Sequence, residues 1–215
     1  MKITKFGHCC LLIEENGTTI LTDPGTFTTE QDNVKGIDII LITHEHQDHF
    51  HIDSVKRVLV NNPQAKIITN SAVGKLLSDQ GIQAEIVEHL GSKQEKGVLF
   101  EGFGKDHAVI YEDFGKVINT GYFIGSRLFY PGDSFYNPVK EHNRGIEILA
   151  LPVSAPWMKA SEAIDYALAV SPKIAFPVHD ALYKNTSMSS FLPSAVLPKK
   201  NINFSILEIG IPKEL

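Results

Sequence analysis

The chain has 215 residues, 43% hydrophobic and 21% charged, which are the proportions of a globular protein long enough to bury a core as one domain. Twenty lysines and arginines stand against twenty-five aspartates and glutamates, so the formal net charge is -5, and neither sign forms a long block. This balance disfavours nucleic-acid-binding proteins, and we expect no nucleic-acid partner.

Cysteine usage and hydropathy predict where the protein resides. The two cysteines, Cys9 and Cys10, are adjacent in a predicted strand, where neighbouring side chains point to opposite faces and cannot easily form a disulfide. The first residues lack the features of a signal peptide, and no later apolar run is long enough to cross a bilayer. We therefore expect a soluble protein in a reducing, cytoplasmic compartment, without a membrane partner.

The chain opens with predicted β-structure. Residues 2–13 and 18–22 alternate apolar and polar side chains on either side of Glu15-Asn16-Gly17, which is typical of a hairpin. The continuous apolar run 37–43 predicts a strand that is covered on both faces. Apolar residues at helical spacing over 52–60 predict a helix directly after it.

A second strand and helix follow. Residues 66–70 are predicted to form a strand, and 71–80 a helix with Ser71 as its N-cap and Gly81 just past its end. The middle of the chain has no predicted helix and contains short β-type runs separated by glycines. These runs are VLFEGF (98–103), HAVIYE (107–112), KVINTGYFI (116–124) and SRLFY (126–130).

The last part of the chain returns to alternating strands and helices. Residues 147–153 and 173–179 are predicted strands, and 161–170 between them is a predicted helix. Because no repeat or linker-like stretch divides the sequence, we expect residues 1–215 to form a single domain. The order of elements predicts an α/β sandwich, in which two mixed sheets pack face to face with helices outside.

The stretch ITHEHQDHF, residues 42–50, concentrates metal-ligand chemistry. It holds His44, His46, Asp48 and His49, directly after a predicted buried strand and before a helix. Ligands in α/β sheets bind in loops beyond the carboxyl ends of strands, and imidazole and carboxylate are good ligands for zinc, iron or manganese. The alternative is a polar surface turn, which we disfavour because such a cluster is rare by chance.

Two further predicted strands end on a potential ligand, Asp133 after RLFYPG and His179 after KIAFPV. A further ligand should come from the middle region, where His107 lies near glycines that let the backbone approach closely. The alternatives are His89 and His142, which stand among charged residues in predicted loops and are expected to be solvated.

The HxHxDH motif and the later histidines and aspartate resemble the metallo-β-lactamase superfamily. The opening residues 2–25, THEHQDH, FYPGDS and FPVH occur in the order that this superfamily shows. They resemble most its small single-domain metal-dependent hydrolases, a branch that includes ascorbate-6-phosphate lactonase-like proteins. The resemblance implies a four-layer αββα sandwich of two mixed β-sheets, with a dinuclear metal site in a cleft at one edge of the sheets.

The resemblance also implies how the ligands are divided. The first metal would take His44, His46 and His107, the second Asp48, His49 and His179, with Asp133 as the bridge between them. Two dications a few ångströms apart repel each other and need such an anionic bridge. We expect two divalent metal ions, zinc in the first place, with manganese or iron as alternatives.

Four other residues are assigned by position. Asp23, in TDPG, resembles the superfamily's aspartate that orients a metal-ligating histidine, and alternatively is a turn residue before Pro24. His8 either faces the cleft or is a core histidine. Asp180 is a further candidate beside His179, and Trp157 either lines a pocket or packs under its loop. The cysteines are expected to be inert.

The function expected is metal-dependent hydrolysis. Hydroxide held between two metals would attack a small ester, lactone or phosphoester, with Asp48 and Asp133 as catalytic carboxylates and a small molecule as the substrate. An iron-dependent redox enzyme of the same fold is an alternative, disfavoured because His46 stands where flavodiiron-type relatives carry glutamate and no flavin domain follows. A nuclease is disfavoured by the acidic balance and by the lack of an RNA-clamping insertion. A metal-binding module without catalysis is the last alternative.

Overall fold

Two seven-stranded β-sheets face each other in the computed structural model, which describes residues 1–112, 114, 116–139 and 145–215. Within these residues, helices cover the outer face of each sheet. The architecture is therefore the four-layer αββα sandwich of two mixed sheets that the sequence predicts, and that prediction is confirmed.

The first sheet is built mainly from the N-terminal half. From one edge to the other its strands are β14 (Lys213–Glu214), β1 (Lys2–Gly7), β2 (Cys10–Glu15), β3 (Thr18–Thr22), β4 (Ile39–Leu41), β5 (Lys66–Thr69) and β6 (Glu85–Ile86). Pairing is antiparallel from β14 to β3 and parallel from β3 to β6. Helices α1 (Ile52–Asn61) and α2 (Ser71–Ser78) connect its parallel strands.

The second sheet repeats this plan. Its strands in order are β13 (Asn203–Phe204), β12 (Ile174–Val178), β11 (Ile148–Pro152), β10 (Leu128–Tyr130), β9 (Gly121–Ile124), β8 (Val98–Phe103) and β7 (Ser92–Glu95). Pairing is parallel from β13 to β10 and antiparallel from β10 to β7. Helix α3 (Ala160–Val170) connects β11 to β12, and α4 (Ser187–Val196) with the 3₁₀ turn Leu197–Lys200 precedes β13.

Strand β4 explains how the layers are held. Ile39 and Leu41 point into the core between the sheets, whereas Ile40 and Ile42 pack with Val55 of α1 on the outer face. Both sets are fully buried, so each side chain of this short strand removes apolar surface from water. This is why a continuous apolar run, rather than an alternating one, precedes the histidine motif.

Several predicted boundaries were wrong. Residues 2–13 are not one strand, because the chain turns at Gly7 (φ +149°) and His8 (φ +48°) before β2. The N-cap of α2 is Asn70, whose side chain accepts a hydrogen bond from the Val73 N–H, and not Ser71. Residues 107–112 form no strand.

Short elements late in the chain were not predicted. Strands β13 and β14 have two residues each, too few to show an alternating pattern, and α4 contains Pro193 within its span. Among the described residues, none of the helices has both the length and the apolar character needed to cross a membrane.

Candidate metal centre

The site lies where strands of both sheets end. Asp23 directly follows β3, and the loop 42–51 carrying His44 follows β4. Asp133 follows β10 and His179 directly follows β12. Because the two sheets face each other, these strand ends bring side chains that are far apart in sequence to a common space.

Two clusters of ligand atoms occupy this space. In each cluster the ligand atoms all lie within 4.8 Å of one another. The first cluster consists of His44, His46, His107 and Asp133, and the second of His8, Asp48, His49 and His179. The structure therefore brings all seven sequence-predicted ligands together, with Asp133, the expected bridge, in the first cluster and with His8 added to the second.

Asp133 lies between the two clusters. Its Oδ2 atom is 3.3 Å from His107 Nε2 of the first cluster and 3.0 Å from His179 Nε2 of the second. Its Oδ1 atom is 3.1 Å from His49 Nε2 and has no hydrogen-bond partner. The carboxylate thus contacts imidazoles on both sides, the position that a bridging ligand needs.

The histidine nitrogens show whether a metal fits these residues. Nε2 of His44, His49, His107 and His179 is buried and has no hydrogen-bond partner. The Nδ1 atom of each ring faces a hydrogen-bond acceptor instead. The acceptor is Thr43 Oγ1 for His44 at 3.0 Å and Asp23 Oδ2 for His49 at 2.7 Å. It is the Ala108 carbonyl for His107 and the Ser154 carbonyl for His179, the latter at 2.6 Å. An acceptor at Nδ1 places the proton there and leaves the Nε2 lone pair free. Buried polar atoms without partners are costly, so these residues fit divalent metal ions.

Asp23 organises the histidines of the motif. Its Oδ2 accepts hydrogen bonds from His49 Nδ1 at 2.7 Å, Thr43 Oγ1 at 2.8 Å and Tyr130 Oη at 2.6 Å, and its Oδ1 accepts from the Thr43 N–H at 2.8 Å. Since Thr43 Oγ1 in turn accepts from His44 Nδ1, one carboxylate orients both rings, directly for His49 and through Thr43 for His44. Asp23 is fully buried, and this contact pattern is that of an orienting carboxylate rather than a turn residue.

We expect Asp23→Asn to weaken metal binding about 10- to 100-fold, the usual cost of losing a partner that orients a metal ligand. Asparagine tolerates the left-handed backbone of this position (φ +36°), so the change removes the charge with little added strain. Competition titration of Zn²⁺ against a chelator measures the effect. Unchanged affinity in a variant that melts normally would contradict this role.

Charge in the cluster determines which groups carry protons before a metal binds. Burial would raise the pKa of Asp133, but the imidazoles of His49 and His179 outweigh it and hold that pKa well below its usual range. Burial acts to lower the pKa of His49 and of His179, but neighbouring groups hold both pKa values well above their usual range. For His49 these neighbours are Cys9 first and then Asp133 and Asp23, and for His179 Asp133 comes first. Burial lowers the pKa of His44, and it lowers that of His8 to about 4.

These pKa shifts predict that metal binding releases protons. His49 and His179 carry protons below their raised pKa values, and a metal must displace the Nε2 proton of each. Apparent Zn²⁺ affinity should therefore rise with pH between about pH 6 and about pH 8. Calorimetry in two buffers with different ionisation enthalpies counts the protons released. An affinity that stays constant over this range would show that neither histidine competes with protons.

The backbone around the site is strained and tightly packed. His8, Asp23 and His179 have left-handed φ values of 48°, 36° and 56°, which non-glycine residues adopt rarely and mostly at functional sites. Gly25 lies against the histidine motif, and a Cβ added there would be 2.0 Å from the Asp48 carbonyl oxygen. Only glycine allows the TDPG turn to pack this closely on the loop that carries Asp48.

The remaining candidates lie in different places. Trp157 lines the site, since its Nε1 donates to Asp133 Oδ2 at 3.0 Å and its ring centroid is 5.9 Å from that of His107. Asp180 pairs with Lys5 at 2.6 Å and is in neither cluster. His89 accepts a hydrogen bond from the Gly104 N–H and is also in neither cluster, and His142 lies outside the described residues.

The cysteines are both free and buried, and they pack on opposite faces of the first sheet. Burial raises the pKa of the Cys10 thiol far above its usual value, which keeps it protonated.

Sequence reasoning did not identify Thr43, Tyr130 or Ser154 as site residues. Thr43 could have been found from its place beside His44, whereas Tyr130 and Ser154 come from the other sheet and give no local signal.

Known proteins resemble this chain over most of its length. The family model described as "Beta-lactamase superfamily domain" matches residues 2–179. Protein Rv0786c of Mycobacterium tuberculosis is 35% identical, over 85% of each chain. A UPF0173 metal-dependent hydrolase of Lysinibacillus sphaericus is 30% identical, over 83% of this chain and 85% of its own. Among solved structures, the metallo hydrolase Igni18 of Ignicoccus hospitalis covers 100% of this chain and 98% of its own with a TM-score of 0.77 at 20% identity, a likeness of fold.

Proposed function

The chain belongs to the metallo-β-lactamase superfamily and is a metal-dependent hydrolase, and from that premise we propose that it cleaves a small ester, lactone or phosphoester with two divalent metal ions. The observation that carries the proposal is the set of four buried Nε2 atoms without hydrogen-bond partners. Those of His49, His107 and His179 lie within 3.3 Å of Asp133 oxygens, and His44 belongs to the same cluster as Asp133. Four buried imidazole nitrogens without hydrogen-bond partners around one buried carboxylate are a donor set that suits divalent cations, which displace the ring protons where these are present.

The proposal of two ions rests on the arrangement of the donors. The two clusters use different histidines, and Asp133 is within 3.3 Å of Nε2 atoms in both. A single ion could not be held by all seven predicted ligands, Asp133 included, in a usual coordination number. We propose zinc, because histidine outnumbers carboxylate in both clusters, with manganese and iron as the alternatives that metal analysis would distinguish.

When bound, the two ions would acidify a water molecule and polarise the substrate oxygen that becomes negative. In the hydrolysis, the water oxygen forms a bond to the carbonyl carbon or phosphorus, the bond to the leaving oxygen breaks, and that oxygen takes a proton. Asp48 is the more exposed of the two carboxylates in the clusters, with 21% of its side chain exposed. It is therefore placed to accept the proton of the water and to pass it on. Asp133 is held in place by Trp157 Nε1.

A cavity beside the second cluster supports a small-molecule substrate. It has a volume of about 340 Å³, and its lining includes His8, Phe27, Ser187 and Ile209. This volume is in the range of sites for small molecules, and its walls are partly apolar. We propose that this cavity takes the part of the substrate that does not react, and that nucleic acid is not a substrate.

Metal content and activity measured together test the proposed function. Purified protein should contain two ions per chain and hydrolyse at least one member of a panel of esters, lactones and phosphoesters, with activity lost to a chelator and restored by metal. His46→Ala should lose this activity, and His51→Ala is the matched control, since His51 contacts Ser54 and is in neither cluster. Protein with two bound ions that hydrolyses no member of the panel would refute the proposed substrate class. Stoichiometric iron with a visible absorption band would favour the redox alternative.

A further inference from the structure

His8 is the histidine of the second cluster that the predicted ligand set does not include. It is 1% exposed, lies in the turn between β1 and β2, and its Nε2 atom is 3.1 Å from Asp48 Oδ2. By distance alone His8 is either an additional metal ligand or a hydrogen-bond donor to Asp48. These two roles need opposite positions of the ring proton, because a ligand must present a bare Nε2 and a donor must present Nε2–H.

The backbone of residue 181 decides between these roles. The Ala181 N–H donates to His8 Nδ1 at 3.3 Å, so Nδ1 is an acceptor and carries no proton. The proton of the neutral ring is therefore on Nε2, where it points at Asp48 Oδ2. His44, His49, His107 and His179 have the opposite arrangement, with Nδ1 facing an acceptor and Nε2 free.

We propose that His8 is a positioning residue, which donates its Nε2–H to Asp48 and orients that carboxylate toward the second metal, and is not itself a ligand. This inference rests on the proposed metal-dependent function. Of the three imidazoles near Asp48 Oδ2, His8 is the closest at 3.1 Å, against 3.4 Å for His179 and 3.8 Å for His49. The Asp48 side chain is also more exposed than that of Asp133, so fewer neighbours restrict its orientation and a hydrogen-bond donor contributes more to fixing it.

The residues around His8 fix the position of its ring beside the second cluster. The His179 N–H donates to the His8 carbonyl at 3.2 Å, and the two ring centroids are 4.2 Å apart. The Phe27 ring centroid lies 4.6 Å from that of His8. The chain after His179 is held by Lys5 through Asp180, which keeps the Ala181 N–H opposite Nδ1. These contacts fix the position of the His8 ring relative to His179 while its Nε2 atom contacts Asp48.

A matched pair of variants separates donor from ligand. Gln and Met have similar length and bring the same Cβ to the left-handed backbone at position 8, but only Gln offers an N–H to Asp48. If His8 is a donor, His8→Gln should bind two Zn²⁺ ions nearly as the natural protein does, whereas His8→Met should bind one of the two about 10- to 100-fold more weakly. Equal loss in both variants would indicate a ligand, and no loss in either would indicate a packing residue. Both results would overturn the proposal.

A spectroscopic measurement reads the tautomer of His8 in the unmodified sequence and uses a variant only to assign the signals. Long-range ¹H–¹⁵N spectra distinguish the two neutral tautomers of histidine, and the signals of His8 are those absent from His8→Gln. In metal-free protein we expect His8 to be protonated at Nε2 and His44 at Nδ1. A His8 ring protonated at Nδ1 would overturn the proposal. This result does not depend on the substrate, so failure of the hydrolysis panel and failure of the His8 role are distinguishable.

Discussion

Replacing Asp133 with Asn is expected to abolish binding of the metal pair and to lower kcat/KM by about a thousandfold or more. Metal ions contribute several kcal/mol of transition-state stabilisation, and each 1.4 kcal/mol or so corresponds to a factor of ten. Asp133 is 3% exposed and lies within 3.3 Å of Nε2 atoms of both clusters, which is the position of a bridge. Asparagine keeps the shape and an oxygen for the hydrogen bond from Trp157 Nε1. The loss would therefore be one of charge.

Metal content per chain and kcat/KM on the best substrate of the panel measure this effect. Asp79→Asn is the matched control, because the Asp79 side chain is 59% exposed and pairs with Lys75 on the surface. The control should keep two ions and full activity. An Asp133→Asn variant that still binds two ions with ordinary affinity would show that the bridge is not a carboxylate.

Replacing Lys5 with Met is expected to lower the free energy of unfolding by about 3 kcal/mol, as the loss of one partner of a buried ion pair does. Lys5 is 1% exposed, and its Nζ donates to Asp180 Oδ2 at 2.6 Å and to the Pro177 carbonyl at 2.7 Å. Without Lys5, the Asp180 carboxylate, whose side chain is 13% exposed, would be left without its cation. Lys5 comes from β1 and Asp180 from the chain after β12, so this pair joins the two sheets.

Denaturant unfolding of both single variants and of the double variant measures the pair. The double variant Lys5→Met with Asp180→Asn should recover much of the loss, because it leaves no buried charge without a partner. Lys75→Met, which removes an exposed lysine paired with Asp79, should leave the free energy of unfolding nearly unchanged. Purely additive losses in the double variant would mean that Lys5 and Asp180 do not interact.

Neither half of the chain can build the metal centre alone. The motif residues 44–49 are carried by the first sheet, whereas Asp133 and His179 follow strands of the second. In each sheet the strand pairing changes from antiparallel to parallel, and six of the seven predicted ligands follow β4, β10 and β12, which take part in the parallel pairing. His107 is the exception, because it follows the antiparallel strand β8. The site therefore depends on correct packing of the two sheets, and the Lys5–Asp180 pair is one contact that fixes this packing.

Local patterns predicted the elements whose residues carry a strong signal of their own. The apolar run before His44 predicted a strand buried on both faces, and β4 is such a strand, because Ile39 and Leu41 face the inter-sheet core and Ile40 faces the helices. The helix α1 was predicted from its apolar spacing. The turn at Gly7–His8 was missed because the alternating pattern continues across it, and only pairing of β1 with β2 shows that the chain reverses there.

The sequence by itself determined which side chains can bind metal, because the ligand types in HxHxDH are a local property and Asp133 and His179 stand at strand ends. Only the tertiary structure decided where the ring protons lie. Those positions depend on Asp23, Ser154 and Ala181, which contact the histidines from other strands and loops, and on Tyr130, which donates a hydrogen bond to Asp23. A hydrogen bond to one ring nitrogen decides what the other can do, so the same residue type suits the proposed ligand role at His49 and the proposed donor role at His8.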